Sequence, residues 1–119
     1  MSAYPHHHHD QVLSEQTLSQ LDRVEDFQQI AAMFSKLSDP TRVRLFWLLC
    51  HSEECVINLS ALMNMSSPAL SHHLRILKET NLIVSRREGK EVFYKAADSE
   101  AAHFLHHMIE QVMRITCPE

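Results

Sequence analysis

The 119-residue chain (13.8 kDa) has the length of one domain, and 45% hydrophobic with 22% charged residues is the balance of a globular protein. Its single glycine, Gly89, excludes Gly-rich phosphate loops of the G-x-G-x-x-G or Walker type. It also argues against a many-stranded sandwich or barrel, because globular proteins average roughly 7% glycine. The net charge of −4 is unevenly spread: residues 66–95 carry six basic and three acidic side chains, whereas the segments on either side are acidic. A polyanion responds to charge within a Debye length of about 8–10 Å, not to the molecular sum.

The longest apolar run, Leu45 to Cys50, is far shorter than the ~20 residues of a membrane span, and the N-terminus has no apolar signal core. Cys50, Cys55 and Cys117 are odd in number and form no Cys-x-x-Cys pair. These features imply a cytoplasmic protein with reduced thiols and no membrane partner.

Residues 1–10, including His6, His7, His8 and His9, read as a polar tail preceding a domain at 11–119. From Val12 to Leu37 apolar residues recur every three or four positions, which predicts one or two helices with a break near Asp22. Asp39-Pro40 is a cap followed by a first-turn proline, so a helix starts there and runs to the polar His51-Ser52-Glu53-Glu54. A short helix is predicted over Ile57 to Met63, followed by a turn at Asn64-Met65-Ser66-Ser67. Ser67-Pro68 repeats the cap-plus-proline signal and opens a helix to about Thr80. Its Leu70, Leu74, Ile76 and Leu77 face inward and its Ser71, His72, Arg75 and Lys78 outward.

The period then shifts to that of strands: Leu82 to Arg87 and Glu91 to Lys95 flank Glu88-Gly89-Lys90, a hairpin with the only glycine in its turn. A last helix is predicted from Asp98 to about Ile115. The fold class is therefore mainly α with a small β-hairpin, in the order of a winged helix-turn-helix. A short helix exposing serines, His72 and Arg75 suits the major groove, and the basic hairpin suits the adjacent backbone.

These stretches resemble the ArsR/SmtB family of winged helix-turn-helix, metal-sensing repressors. The resemblance is carried by Leu37 to Leu45 (LSDPTRVRL), Glu54 to Ser60 (ECVINLS), Ser66 to Lys78 (SSPALSHHLRILK) and Leu82 to Tyr94. It implies a homodimer, joined through its first and last helices, that binds double-stranded operator DNA and releases it on binding an effector. It implies recognition contacts from Ser66, Ser67, Ser71, His72, Arg75 and Lys78, and wing contacts from Arg86, Arg87 and Lys90. The second histidine of the recognition helix, His73, is expected to be buried and hydrogen-bonded.

Candidate metal ligands gather in the last helix, where His103, His106, His107 and Glu110 lie three and four apart, with Asp98 and Glu100 at its start as further candidates. Imidazole with carboxylate suits Zn²⁺, Co²⁺ or Ni²⁺ as inducer. The family's usual last-helix site begins with Asp-x-His and ends with His-x-x-His or His-x-x-Glu. Here the first part reads Asp98-Ser99-Glu100, and Gln111 and Arg114 stand at the later positions, so that site is broken. Cys55 matches a family cysteine ligand, with Asn58 in place of an acidic residue, and His6, His7, His8 and His9 are candidates to complete such a site. Two alternatives remain open: a thiol-based redox or reactive-sulfur-responsive repressor of the same fold and, remotely, a small zinc hydrolase. The latter lacks a His-Glu-x-x-His and therefore a general base in the ligand helix, so the chain is expected not to be an enzyme.

Overall fold

Side-chain caps punctuate the helices of the computed structural model, which describes His6 and residues 12–118. Helix α1 (Glu15–Leu21) is capped by Ser14, whose side chain accepts from the Thr17 amide, and the predicted break falls at Asp22-Arg23 before α2 (Val24–Leu37). Helix α3 (Pro40–His51) starts as predicted: Asp39 accepts from the Arg42 amide and Pro40 occupies the first turn. Helix α4 (Val56–Met63) ends on Asn64 in the left-handed conformation (φ 54°), with the Met65 amide bonded back to the Ser60 carbonyl.

Helix α5 (Ser67–Glu79) differs from expectation by one residue. Ser66 is the cap, accepting from the Ala69 amide, and Ser67 is already helical. Both serines precede Pro68, and proline fits the first or second helical position equally well because neither amide has an intrahelical acceptor. The last helix, α6 (Glu100–Thr116), likewise starts later than Asp98, because Ser99 caps it through the Ala102 amide.

The hairpin strands, β2 (Ile83–Glu88) and β3 (Glu91–Ala96), pair antiparallel from Ile83↔Ala96 to Glu88↔Glu91. Gly89 has φ +62° at the first position of the two-residue turn, where a side chain is disfavoured. The sheet has a third strand that the sequence pattern did not announce. β1 (Glu54–Cys55) pairs antiparallel with β3 at Glu54↔Tyr94 and Cys55↔Phe93, giving the order β1-β3-β2. This is a winged helix-turn-helix: α4 and α5 form the helical pair, and β2 and β3 the wing.

The chain divides into a unit up to Ala32 and a unit from Met33 onward, whereas the tail boundary expected at residue 10 lies outside the described residues. In the second unit Leu45, Phe46 and Leu49 of α3 pack with Leu59 and Met63 of α4, Leu70, Leu74 and Leu77 of α5, Leu82, Ile83, and Ala102 of α6. No described helix is long and apolar enough to cross a membrane. Leu74 is 1% exposed at the centre of this core. Leu74→Ala is therefore expected to destabilise the protein by about 2–5 kcal/mol, read from the midpoint of denaturant unfolding at unchanged m-value.

Candidate nucleic-acid interface and metal cluster

Burial of Leu70, Leu74 and Leu77 rolls α5 so that its other face is solvent-exposed, and Ser67, Ser71, His72, Arg75 and Lys78 all lie there. Two of these side chains are hydrogen-bonded within the chain, and the His72 ring meets that of His73 edge-to-face. Ser67 Oγ lies 3.1 Å from Ser60 Oγ on α4, and Lys78 Nζ donates to Ser85 Oγ of β2 at 2.8 Å, tying the helix to the wing. Ser66 is committed to capping. Arg75, Arg87 and Lys90 are exposed and have no hydrogen-bond or ion-pair partner among the described residues, so their charges are available to a ligand.

Arg86 is in a different state. Its Nε and Nη2 donate to the Glu53 carboxylate at 3.0 and 2.9 Å, its Nη1 donates to Glu88 at 2.5 Å, and its guanidinium lies 4.7 Å from the Phe93 ring centroid. The hydrogen bond from Arg86 holds the Glu53 carboxyl below its ordinary range, against a smaller desolvation effect and helped by the charges of Arg86 and Lys95.

The second histidine of α5 sits where the resemblance implies. His73 is partly buried, and Arg42 Nη1 donates to its Nδ1 at 3.2 Å, which puts the ring proton on Nε2 because arginine cannot accept. Arg42 also donates through Nε to the Lys36 carbonyl (2.5 Å), and Asp39 Oδ2 lies 3.9 Å from His73 Nδ1. The start of α3 is thereby fastened to the middle of α5.

The last-helix ligand candidates do not act as one group. His103 Nε2 bonds Asp98 Oδ1 at 2.8 Å, and that bond and the imidazole charge lower the Asp98 carboxyl. Glu100 and His107 are exposed, with no such partner among the described residues. His106 and Glu110 instead join His51, the last residue of α3, which the sequence pattern does not single out as a ligand. His51 Nε2 lies 3.2 Å from His106 Nε2 and 3.6 Å from Glu110 Oε2, and His106 Nε2 lies 3.3 Å from the same oxygen.

The Trp47 ring packs on His51 at 4.3 Å between centroids, and His51 meets His106 edge-to-face at 4.9 Å. Partial desolvation pushes the Glu110 carboxyl up. The charge of His106, the Trp47 indole N–H, the bond to His106 and the charge of His51 outweigh it, and the net shift is downward. The Trp47 Nε1 atom is buried and makes no full hydrogen bond among the described residues, so its effect on Glu110 is weak.

Beside this cluster lies a cleft of about 430 Å³ lined by Cys50, His51, Glu53, Asp98, His103 and His106, among others. Cys50 is a free thiol whose pKa is pushed up to about 11 by burial and by the Glu110 charge. Cys55 is buried in β1 and belongs to no ligand group of three or more among the described residues. Of its proposed partners, His6 is exposed, and His7, His8 and His9 lie outside the described residues.

Comparison with known proteins agrees with this geometry. The family model described as bacterial regulatory protein, arsR family, matches residues 39–85. A transcriptional repressor SmtB homolog of Synechocystis sp. is 38% identical over 75% of this chain and 67% of its own length. A cadmium resistance transcriptional regulatory protein CadC homolog of Staphylococcus aureus is 39% identical over 58% of each chain. Among solved structures, the homodimeric winged helix-turn-helix DNA-binding domain of a possible ArsR-family regulator from Mycobacterium bovis superposes with a TM-score of 0.67. It is 24% identical and covers 90% of this chain and 93% of that one.

The Glu53–Arg86 pair has a testable signature. Because the folded carboxyl titrates below its ordinary value of 4.5, the pair's contribution to stability is fully present above that value and is lost as pH falls through the lower folded one. Glu53→Gln is expected to flatten the acid limb of the stability–pH curve, and an NMR titration of the Glu53 side-chain carboxyl to show the lowered midpoint directly.

Proposed function

The chain belongs to the arsR family of bacterial regulatory proteins, and from that membership we propose that it is a homodimeric, cytoplasmic transcriptional repressor that releases operator DNA on binding a divalent transition metal. The family and its relatives are transcriptional regulators with a winged helix DNA-binding fold, not enzymes. The observation that carries the reading is the unpartnered Arg75 on the exposed face of α5, together with the unpartnered Arg87 and Lys90 of the wing. Arg75, with Ser71 and His72, is the reader of base edges, and Arg87 and Lys90 hold backbone phosphates. Ser66 and Ser67 sit at the helix N-terminus, where the positive end of the dipole favours a phosphate. Lys78 and Arg86 contribute positive potential but must exchange an internal partner to touch DNA.

The dimer is supported by apolar residues that a lone chain leaves in water. Phe104, Met108, Val112 and Ile115 form an exposed stripe at helical spacing on α6. In α2, Val24, Phe27, Ile30 and Phe34 do the same. A second copy of the chain is the occupant proposed for each. A metal inducer is supported by the nitrogen and oxygen ligands of α6 and by the likeness to a cadmium-resistance regulator. The thiol-based alternative loses support at Cys50, whose raised pKa leaves almost none of it as the reactive thiolate at neutral pH.

Fluorescence anisotropy of labelled operator DNA, with and without Zn²⁺, Co²⁺ and Ni²⁺, tests the whole reading; DNA affinity unchanged by all three removes metal sensing. Arg75→Ala is expected to weaken the specific complex by about 1–3 kcal/mol and alter base preference at one position. Arg87→Ala or Lys90→Ala should instead weaken all sequences alike and reduce the salt slope by about one.

A further inference from the structure

The His51, His106 and Glu110 side chains converge from two helices on one point. His51 is the last residue of α3, whereas His106 and Glu110 are one turn apart on α6. Their three potential ligand atoms are separated by 3.2, 3.3 and 3.6 Å. Ligands bonded to Zn²⁺ at about 2.0–2.1 Å in a tetrahedron stand roughly 3.3–3.4 Å apart along each edge, so the three atoms already occupy one face of such a tetrahedron. We propose that His51, His106 and Glu110 form a transition-metal site within a single chain, joining the end of α3 to the middle of α6.

Two neutral imidazoles and a carboxylate make an N₂O set of borderline hardness, which fits Zn²⁺ or Co²⁺ and disfavours thiophilic ions. Cys50 lines the neighbouring cleft, but its sulfur is not among the converging atoms. The fourth position is left to water from that cleft, which both histidines line. Three protein ligands and an exchangeable fourth let the ion enter and leave without unfolding the site. Trp47, packed against His51, holds that ring in place. His103 stands outside the site, bound to Asp98, and so does His107, which is exposed on a more distant face of α6.

This inference rests on the metal-responsive reading above and is sharper than it: the ion is held by one subunit, needs no ligand from a second copy, and uses a residue outside the last helix. Co²⁺ titration of the full-length protein, followed by the visible ligand-field spectrum and by calorimetry, tests it without reference to DNA. Because His6 to His9 can also take up metal, the deciding quantity is what each substitution removes. His51→Ala, His106→Ala and Glu110→Gln are each expected to abolish the tetrahedral spectrum and remove one equivalent of Co²⁺ per chain. His103→Ala and His107→Ala leave both unchanged. Circular dichroism on every variant, and His51→Asn as a smaller change, separate ligand loss from unfolding.

The site is overturned if folded His51→Ala and His51→Asn keep the spectrum and stoichiometry, if His103→Ala or His107→Ala removes them, or if the unaltered protein gives no tetrahedral spectrum. Operator binding then separates the two readings. A spectrum kept in folded His51→Ala, with metal-dependent release undiminished, overturns this site and leaves the metal-responsive repressor standing. A spectrum lost on His51→Ala, in a protein whose DNA affinity ignores metal, upholds the site and overturns that function.

Discussion

Burial of one side of α3 is the constraint on which the rest of the molecule depends. Leu45, Phe46 and Leu49 are at most 2% exposed, and the helix that carries them touches α5, β3 and α6. Fixing α3 fixes what projects from its two ends, about 18 Å apart at 1.5 Å per residue. At the first end Asp39 caps the helix, and Arg42 reaches His73 in the middle of α5. At the second, His51 reaches His106 and Glu110 on α6. Each end is a polar contact at the margin of an apolar core, where loss of one partner strands the other in a partly desolvated place.

The scarcity of glycine acquires a structural meaning. Three described residues have positive φ: Gly89 in the wing turn, Asn64 after α4 and Asn81 after α5. Asparagine tolerates the left-handed region better than other side chains because its amide can bond locally to the backbone. Helix ends that other proteins close with glycine are closed here by asparagine, and glycine is kept for the hairpin. The turn after α4 sets the start of α5, so Asn64 bears on the placement of that helix.

What was legible in the sequence was local. Asp39-Pro40, the paired β-branched runs around Gly89 and the Leu70, Leu74, Leu77 stripe each declare an element within a few residues, and each element formed. The features that escaped depend on partners far along the chain. β1 is two residues long, and Glu54 and Cys55 are extended because Tyr94 and Phe93 lie opposite them; no two-residue window carries that information. His51 gained its role from a histidine 55 positions away. The register of α6 could have been read more finely. At about 100° per residue, His106 falls some 40° from buried Ala102, while His103 and His107 are rotated about 100° and 140° away from it. The histidine nearest the core face was the one able to meet another helix. Asp98 has the sequence signal of a helix start, but Ser99 takes the cap and leaves Asp98 to pair with His103.

The same geometry places the metal-ligand cluster and the wing on one short stretch of backbone. His51 belongs to the cluster, Glu53 holds Arg86 of β2 through two hydrogen bonds, and Glu54 pairs with Tyr94 of β3. Four consecutive residues therefore connect the end of α3 to both strands of the hairpin. Helix α6 presents the cluster on one side of its core-facing stripe and the exposed Phe104, Met108, Val112 and Ile115 on the other. Because a helix moves as a body, the orientation of that apolar stripe is tied to the side of α6 that meets His51. Coupling between distant sites requires an element with two arrangements that both sites bias, and the segment from His51 to Glu54 is where the histidine cluster and the wing share one backbone.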